Sequence, residues 1–263
     1  MIKIRGKRIL FAGLVIFLFS SIIAYAGQLT GDEILEKIKG KAAVTRSGKA
    51  TVNLITENKK GQRRENKVKV YRKVTEKIEK QLIEYLEPAD VEGTKFLSIS
   101  EKGKEDLMYL YLPFLGRERR IAAQEKEKKF MGTDFTYEEI GSSESYHEKY
   151  TGERLNDENF ENYPCYVLKL SPKEKNSKYS YLKMWVWKQE FIPLKIEFYR
   201  KDGKLEKVLT EYDLKKEKGE KDYIPYKIVM ANQIKGTKTI VEILQTKKEE
   251  VSDDYFTLRY LRR

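Results

Sequence analysis

The sequence predicts a mainly β protein with a few helices, built on antiparallel strands, about ten or eleven of them. Three observations lead there. Most of the chain alternates apolar and polar residues with a period of two. The runs are separated by short turn signals such as Lys60-Gly61, Lys102-Gly103, Asp202-Gly203 and Lys235-Gly236. Past the N-terminal region, only one stretch has a clear helical period.

In chain order, the first 26 residues read as a cleavable signal peptide. Lys3, Arg5, Lys7 and Arg8 form a positive leader, and Ile9 to Ile23 is apolar apart from Gly13, Ser20 and Ser21. Ala24-Tyr25-Ala26 supplies a small-x-small cleavage site. The apolar run is about 15 residues, short of the roughly 20 that a spanning helix needs. The expected product, Gly27 to Arg263, is a single exported domain with no second long apolar run. No Cys follows the apolar run, so lipidation of the new N-terminus is not indicated.

Thr30 then caps a short amphipathic helix, TGDEILEKIKG. Acids fill its first turn, Ile34, Leu35 and Ile38 share one face, and Gly40 stops it. Strand-like runs follow at Ala50–Ile55, Val68–Val74, Ile78–Leu86, Lys95–Ile99 and Asp106–Leu112, the last ending at Pro113. A second series covers Tyr166–Leu170, Tyr181–Trp187, Leu194–Tyr199, Leu205–Tyr212, Tyr226–Ile234 and Thr239–Leu244. Sequential hairpins favour antiparallel pairing. A sheet this wide cannot stay flat: it closes into a barrel, splits, or wraps around something. In SYLKMWVWK, Leu182, Met184 and Val186 alternate with Tyr181, Trp185 and Trp187, so both faces of that strand need cover. A filled core under a helix satisfies that pattern, and so does a half-barrel with one face lining a lipid cavity.

Between the two series, Gln124–Lys129 is charged and helix-favouring. Phe130-Met131-Gly132-Thr133-Asp134-Phe135 follows it, two aromatics and a Met around a Gly. This segment is either a loop tucked onto the core or the lid of a ligand site.

Composition narrows the chemistry. The net charge is +12, with four positive charges in the leader, but Lys and Arg are interleaved with Glu and Asp, as in KKEKGEKD. Dispersed charge on an exported chain argues against nucleic acid as a partner. Cys165 is the only cysteine, so no internal disulfide forms; in YPCYVLKL it reads as a small packed residue. His147 is the only histidine, and no G-x-S-x-G, H-E-x-x-H, P-loop or C-x-x-C occurs. No catalytic residue, metal ligand or cofactor is indicated. Glu138-Glu139 reads as a solvated loop rather than a catalytic pair.

The segments EPADVEGTKFL (87–97), MYLYLPFLGRERRI (108–121) and KFMGTDFTYEEI (129–140) resemble the outer-membrane lipoprotein-sorting protein family, a branch of the LolA/LolB-like lipoprotein-carrier superfamily. DDYFTLRYL (253–261) also fits, so the resemblance runs from Leu29 to the C-terminus. Pro113, Arg119, Arg120, Ile121 and the run Phe130–Phe135 match its motifs. The resemblance implies a single strongly curved antiparallel sheet, an incomplete half-barrel, with helices or loops closing over an apolar cavity. It implies a periplasmic carrier of lipid or lipoprotein acyl chains that is not an enzyme. Expected partners are acyl chains or lipoproteins, an inner-membrane transporter and, transiently, a membrane; a monomer is expected. The cavity or lid candidates are Leu112, Arg119, Arg120, Phe130, Met131, Phe135, Met184, Trp185 and Trp187. The alternative is a non-catalytic envelope interaction module, such as an accessory to a membrane transporter.

Overall fold

In the computed structural model, the described residues are 28–38, 47–141, 146–216 and 223–263. The expected signal peptide and the helix stop expected at Gly40 lie outside them. Fourteen strands form one antiparallel sheet. They are β1 Gly48–Glu57, β2 Arg63–Val74, β3 Ile78–Glu87, β4 Lys95–Glu101, β5 Leu107–Leu112, β6 Arg117–Arg120, β7 Tyr150–Arg154, β8 Glu158–Phe160, β9 Tyr163–Pro172, β10 Tyr179–Trp187, β11 Ile192–Arg200, β12 Leu205–Lys216, β13 Tyr223–Asn232 and β14 Thr237–Lys248. The order across the sheet is β6-β5-β4-β3-β2-β1-β14-β13-β12-β11-β10-β9-β7, with β8 also on β9. The two halves of the chain meet where β1 pairs with β14, so the first and last long strands sit side by side. The sheet is open: β6 and β7 are its edges.

Eleven of these strands answer the eleven alternating runs. The count of ten or eleven falls short by β6, β7 and β8, whose sequences RERR, YTGER and ENF carry no apolar alternation. They are short and mostly polar, and they join the sheet through backbone pairing to one neighbour, as edge strands do. Gln124–Lys129 also departs from expectation, forming only a 3₁₀ turn at Ala123–Glu125.

Four short helices are described: α1 Gly31–Ile38, α2 Tyr137–Gly141, α3 Tyr146–Lys149 and α4 Leu258–Leu261. Thr30 caps α1 as expected: its Oγ1 accepts from Glu33 N–H at 3.2 Å, and Glu33 Oε2 accepts from Thr30 N–H at 2.7 Å. None of the described helices is long and apolar enough to cross a membrane.

The sheet buries both faces in different ways. On the inner face, one cluster gathers Leu168, Leu170, Leu182, Met184, Ile196, Phe198 and Met230 beneath Ile34, Leu35 and Ile38 of α1. A second gathers Val52, Leu54, Val68, Ile83, Tyr85, Phe96, Met108 and Leu110. Ile140 and Val241 pack against both, making the inner face continuous. On the outer face, the C-terminal Val251, Phe256 and Leu261 cover Tyr71, Leu82 and Leu97. Far along the same face, Cys165, Val167, Trp185, Trp187, Ile192 and Leu194 pack with Phe160 and Tyr163.

Candidate functional site

The inner face is crossed by the segment that runs from β6 to α2. Ile121 N–H donates to Met108 O at 2.8 Å, turning the chain inward off the sheet edge. Phe130 then drops into the second cluster, 1 % exposed. Its ring stands edge-on to Phe96 at 5.1 Å and to Tyr137 at 5.4 Å. The chain reverses at Met131 and Gly132, both at positive φ (43° and 78°), which explains a Gly at this point. Phe130 N–H donates to Phe135 O and Thr133 N–H to Phe130 O, each at 2.8 Å, closing the loop on itself. Phe135 leaves it into the first cluster. The FMGTDF loop therefore straddles both halves of the inner face.

Polar contacts fix this loop to the sheet. Buried Asp134 donates its N–H to Thr239 Oγ1 at 2.7 Å, and its Oδ1 accepts from Thr237 Oγ1 at 2.7 Å and from Lys129 Nζ at 2.6 Å. Thr136 and Glu139 cap α2 reciprocally, at 2.8 and 3.1 Å. Glu139 also receives Lys207 of β12, whose Nζ lies 2.6 and 2.8 Å from its two carboxylate oxygens. The Lys207 side chain is 2 % exposed and that of Glu139 is 21 % exposed. Lys207 also points at Asp134 O (3.4 Å) and lies over the Phe198 ring at 5.2 Å. Burial pushes its ammonium below the usual range, against the pull of Glu139. Gln81 Nε2 donates to Ile140 O at 2.9 Å, a further tie to β3. Glu139 is thus not a solvated loop residue: it pairs with a cation 68 positions away, which no local pattern could show.

The sequence-selected residues fall into three groups. Phe130, Met131, Phe135, Met184 and Leu112 all pack on the inner clusters. Arg119 and Arg120 are exposed on β6, where they pair with Glu125 (3.1 Å) and Glu105 (3.5 Å). Arg119 thereby braces the 3₁₀ turn that begins the crossing segment. Trp185 and Trp187 lie on the outer face, separated from Met184 by the pleat; Trp185 Nε1 donates to Glu158 at 2.8 Å. His147 is half-buried on α3, 3.0 Å from Glu36. Cys165 is fully buried, and burial pushes its thiol up to about 11. No group of metal-ligating side chains occurs among the described residues.

Part of the inner face is only half-enclosed. Leu209, Ile228, Val241, Ile140, Tyr146 and Tyr150 pack against the first cluster yet stay only half-buried. Leu209, Ile228 and Val241 belong to the middle strands β12–β14, Ile140 to α2, Tyr146 to α3 and Tyr150 to β7. The residues therefore define an open antiparallel sheet whose apolar inner face is crossed by a tied-down loop.

Comparison with known proteins finds the same open-sheet fold. A domain from Vibrio parahaemolyticus described as an outer membrane lipoprotein-sorting protein domain shares 31 % identity at a TM-score of 0.79, covering 89 % of this chain and 98 % of that one. A DUF1329 family protein from Desulfovibrio piger ATCC 29098 shares 26 % identity at a TM-score of 0.80, covering 88 % and 97 %. A LolA superfamily protein from Nitrosomonas europaea has the same fold at 21 % identity and a TM-score of 0.69, covering 89 % and 100 %. A family model described as "Uncharacterized protein" matches residues 77–263. No curated protein matches the chain. The chain belongs to the outer membrane lipoprotein-sorting protein family, on a fold shared with the LolA superfamily.

Proposed function

We propose that this protein is a periplasmic carrier that takes up acyl chains of lipids or lipoproteins beneath the FMGTDF loop and moves them across the envelope without a catalytic step. The observation that carries this reading is the half-buried apolar stretch of the inner face, which the FMGTDF loop crosses and to which it is held by discrete contacts. Each CH₂ buried there is worth about 0.8 kcal/mol, so an acyl chain gains strongly over water. The loop is held to the sheet by its buried Phe130 and Phe135 and by a few discrete polar ties, and release then calls for these contacts to part together.

The turn between β5 and β6 supports a transient membrane contact. Phe114 is 81 % exposed and Leu115 47 % exposed, next to Arg117. Ile234, 49 % exposed beside Lys235, sits in the β13–β14 turn at the same end of the sheet. Apolar tips flanked by basic residues fit an anionic bilayer surface.

The test is native mass spectrometry of the protein purified from the periplasm without detergent. Adducts that dissociate as lipid or acylated peptide support the carrier and identify its cargo class. A clean apo mass, with no uptake of fluorescent acyl probes, refutes it and favours the interaction module.

A further inference from the structure

Tyr85 sits on β3 directly across from Val68 of β2, and both side chains enter the second inner cluster. Its backbone is satisfied: Tyr85 N–H donates to Thr94 O and Gly93 N–H donates to Tyr85 O, each at 2.9 Å. Its phenol is not. Tyr85 is 2 % exposed, its Oη is sealed from solvent, and that oxygen has no hydrogen-bond partner among the described residues. A buried hydroxyl without a partner is uncommon and costly, so a fold that keeps one calls for a reason.

The groups around it do not supply a partner. The same cluster holds Val52, Leu54, Ile83, Phe96 and Leu110, none with a polar side-chain atom. Arg64 and Tyr137 are close enough to influence the phenol, and both are engaged elsewhere. Arg64 meets Asp90 at 2.5 Å and Asn66 Oδ1 at 3.4 Å, and Tyr137 has Arg119 beside its hydroxyl. Val91, Leu112 and Met131 pack against the cluster yet stay half-buried. Val91 lies in the β3–β4 turn and Leu112 ends β5, so the cluster opens toward the end of the sheet that carries both. Met131 belongs to the FMGTDF loop, whose Phe130 shares the cluster with Tyr85.

We propose that the Tyr85 phenol is the polar anchor for cargo: when the FMGTDF loop lifts, its O–H donates a hydrogen bond to the ester or amide carbonyl that joins an acyl chain to its head group. A lone donor in an apolar wall suits a ligand that is apolar except for an acceptor of this kind. The inference rests on the carrier reading and adds to it the chemical group that the inner face recognises. It also gives loading a driving contact. The phenol is unsatisfied with the loop closed and satisfied with cargo in place, so the hydrogen bond is a differential contact that favours the loaded state.

The test titrates the purified protein at pH 7 with a fluorescent acyl ester and with the matching alkyl ether, which lacks the carbonyl, and follows thermal unfolding by circular dichroism. The wild type is expected to bind the ester about five- to tenfold tighter than the ether. Tyr85→Phe keeps the ring and loses only the hydroxyl, so it should bind both probes alike. It should also melt at or above the wild-type temperature, because it removes an unsatisfied buried group. A fall in Tm of more than about 3 °C in Tyr85→Phe would show that the hydroxyl serves the fold, and overturns the anchor. Equal affinities for ester and ether in the wild type, or a preference surviving in Tyr85→Phe, overturn the anchor and leave the carrier standing. Binding of neither probe by the wild type overturns the carrier and the anchor with it.

Discussion

The Lys207–Glu139 pair gives the sharpest test of how the roof is held. Glu139→Gln keeps the shape of the side chain and removes its charge, stranding an ammonium whose side chain is 2 % exposed. Breaking a buried pair from one side typically costs about 3–5 kcal/mol. Two features reduce that here. The Glu139 side chain is 21 % exposed, so water reaches it, and burial already lowers the Lys207 pKa, so the amine can shed its proton. The expected loss is about 2–3 kcal/mol, or a fall in Tm of about 5–10 °C for a domain of this size. Lys207→Met, by contrast, keeps a chain over the Phe198 ring and leaves Glu139 free to turn to water; its cost should be about 1 kcal/mol. The double variant should lie close to Lys207→Met. The pH dependence follows from the direction of the Lys207 shift. Its folded pKa lies below its unfolded value, so the penalty is full at low pH and shrinks as pH rises through the folded pKa toward 10.5. The loss in Glu139→Gln should therefore be smaller at pH 9.5 than at pH 6. Thermal melts of the four proteins at both pH values complete the cycle. A coupling energy below about 0.5 kcal/mol, or a Glu139→Gln melt within 1–2 °C of wild type at pH 6, refutes the pair as a tie between roof and sheet.

Three further outcomes are expected. Phe130→Ala empties the site between Phe96 and Tyr137 and should cost about 3–5 kcal/mol in urea unfolding; a loss under 1 kcal/mol would show that the loop does not depend on this anchor. Glu211 has a folded pKa raised to about 8 from 4.5, so its burden on the fold is absent at pH 4 and grows as pH rises to 8. Glu211→Gln should accordingly match wild type at pH 4 and exceed it by on the order of 2–4 kcal/mol at pH 9; parity at both pH values would show that the carboxyl is not buried. The Cys165 thiol, fully buried and pushed up to about 11, should resist a maleimide at pH 7.5 in the native state and react within minutes in denaturant. Rapid native labelling would place it at the surface.

Local chemistry made much of the sheet legible. Gly61, Gly103, Gly203 and Gly236 all adopt positive φ at the turns that their dipeptides mark, and the alternating runs between them became strands because a two-residue period buries one face. The Thr30–Glu33 cap was readable for the same reason, since both partners lie within one turn. The FMGTDF segment could be singled out by composition. Its role as a roof, however, depends on Thr237, Thr239 and Lys207, all more than 60 residues downstream. Periodicity states that neighbouring side chains point opposite ways but not which way is in. Met184 and Trp185 thus looked equally suited to a cavity until register placed the first beneath α1 and the second against β8. Nothing local distinguishes Glu211 from the many glutamates facing water. The sequence by itself determined the eleven alternating strands, the turns between them and the family. Only the tertiary structure decided which face is inner and which carboxylate meets Lys207, because those depend on pairings between strands far apart in the chain.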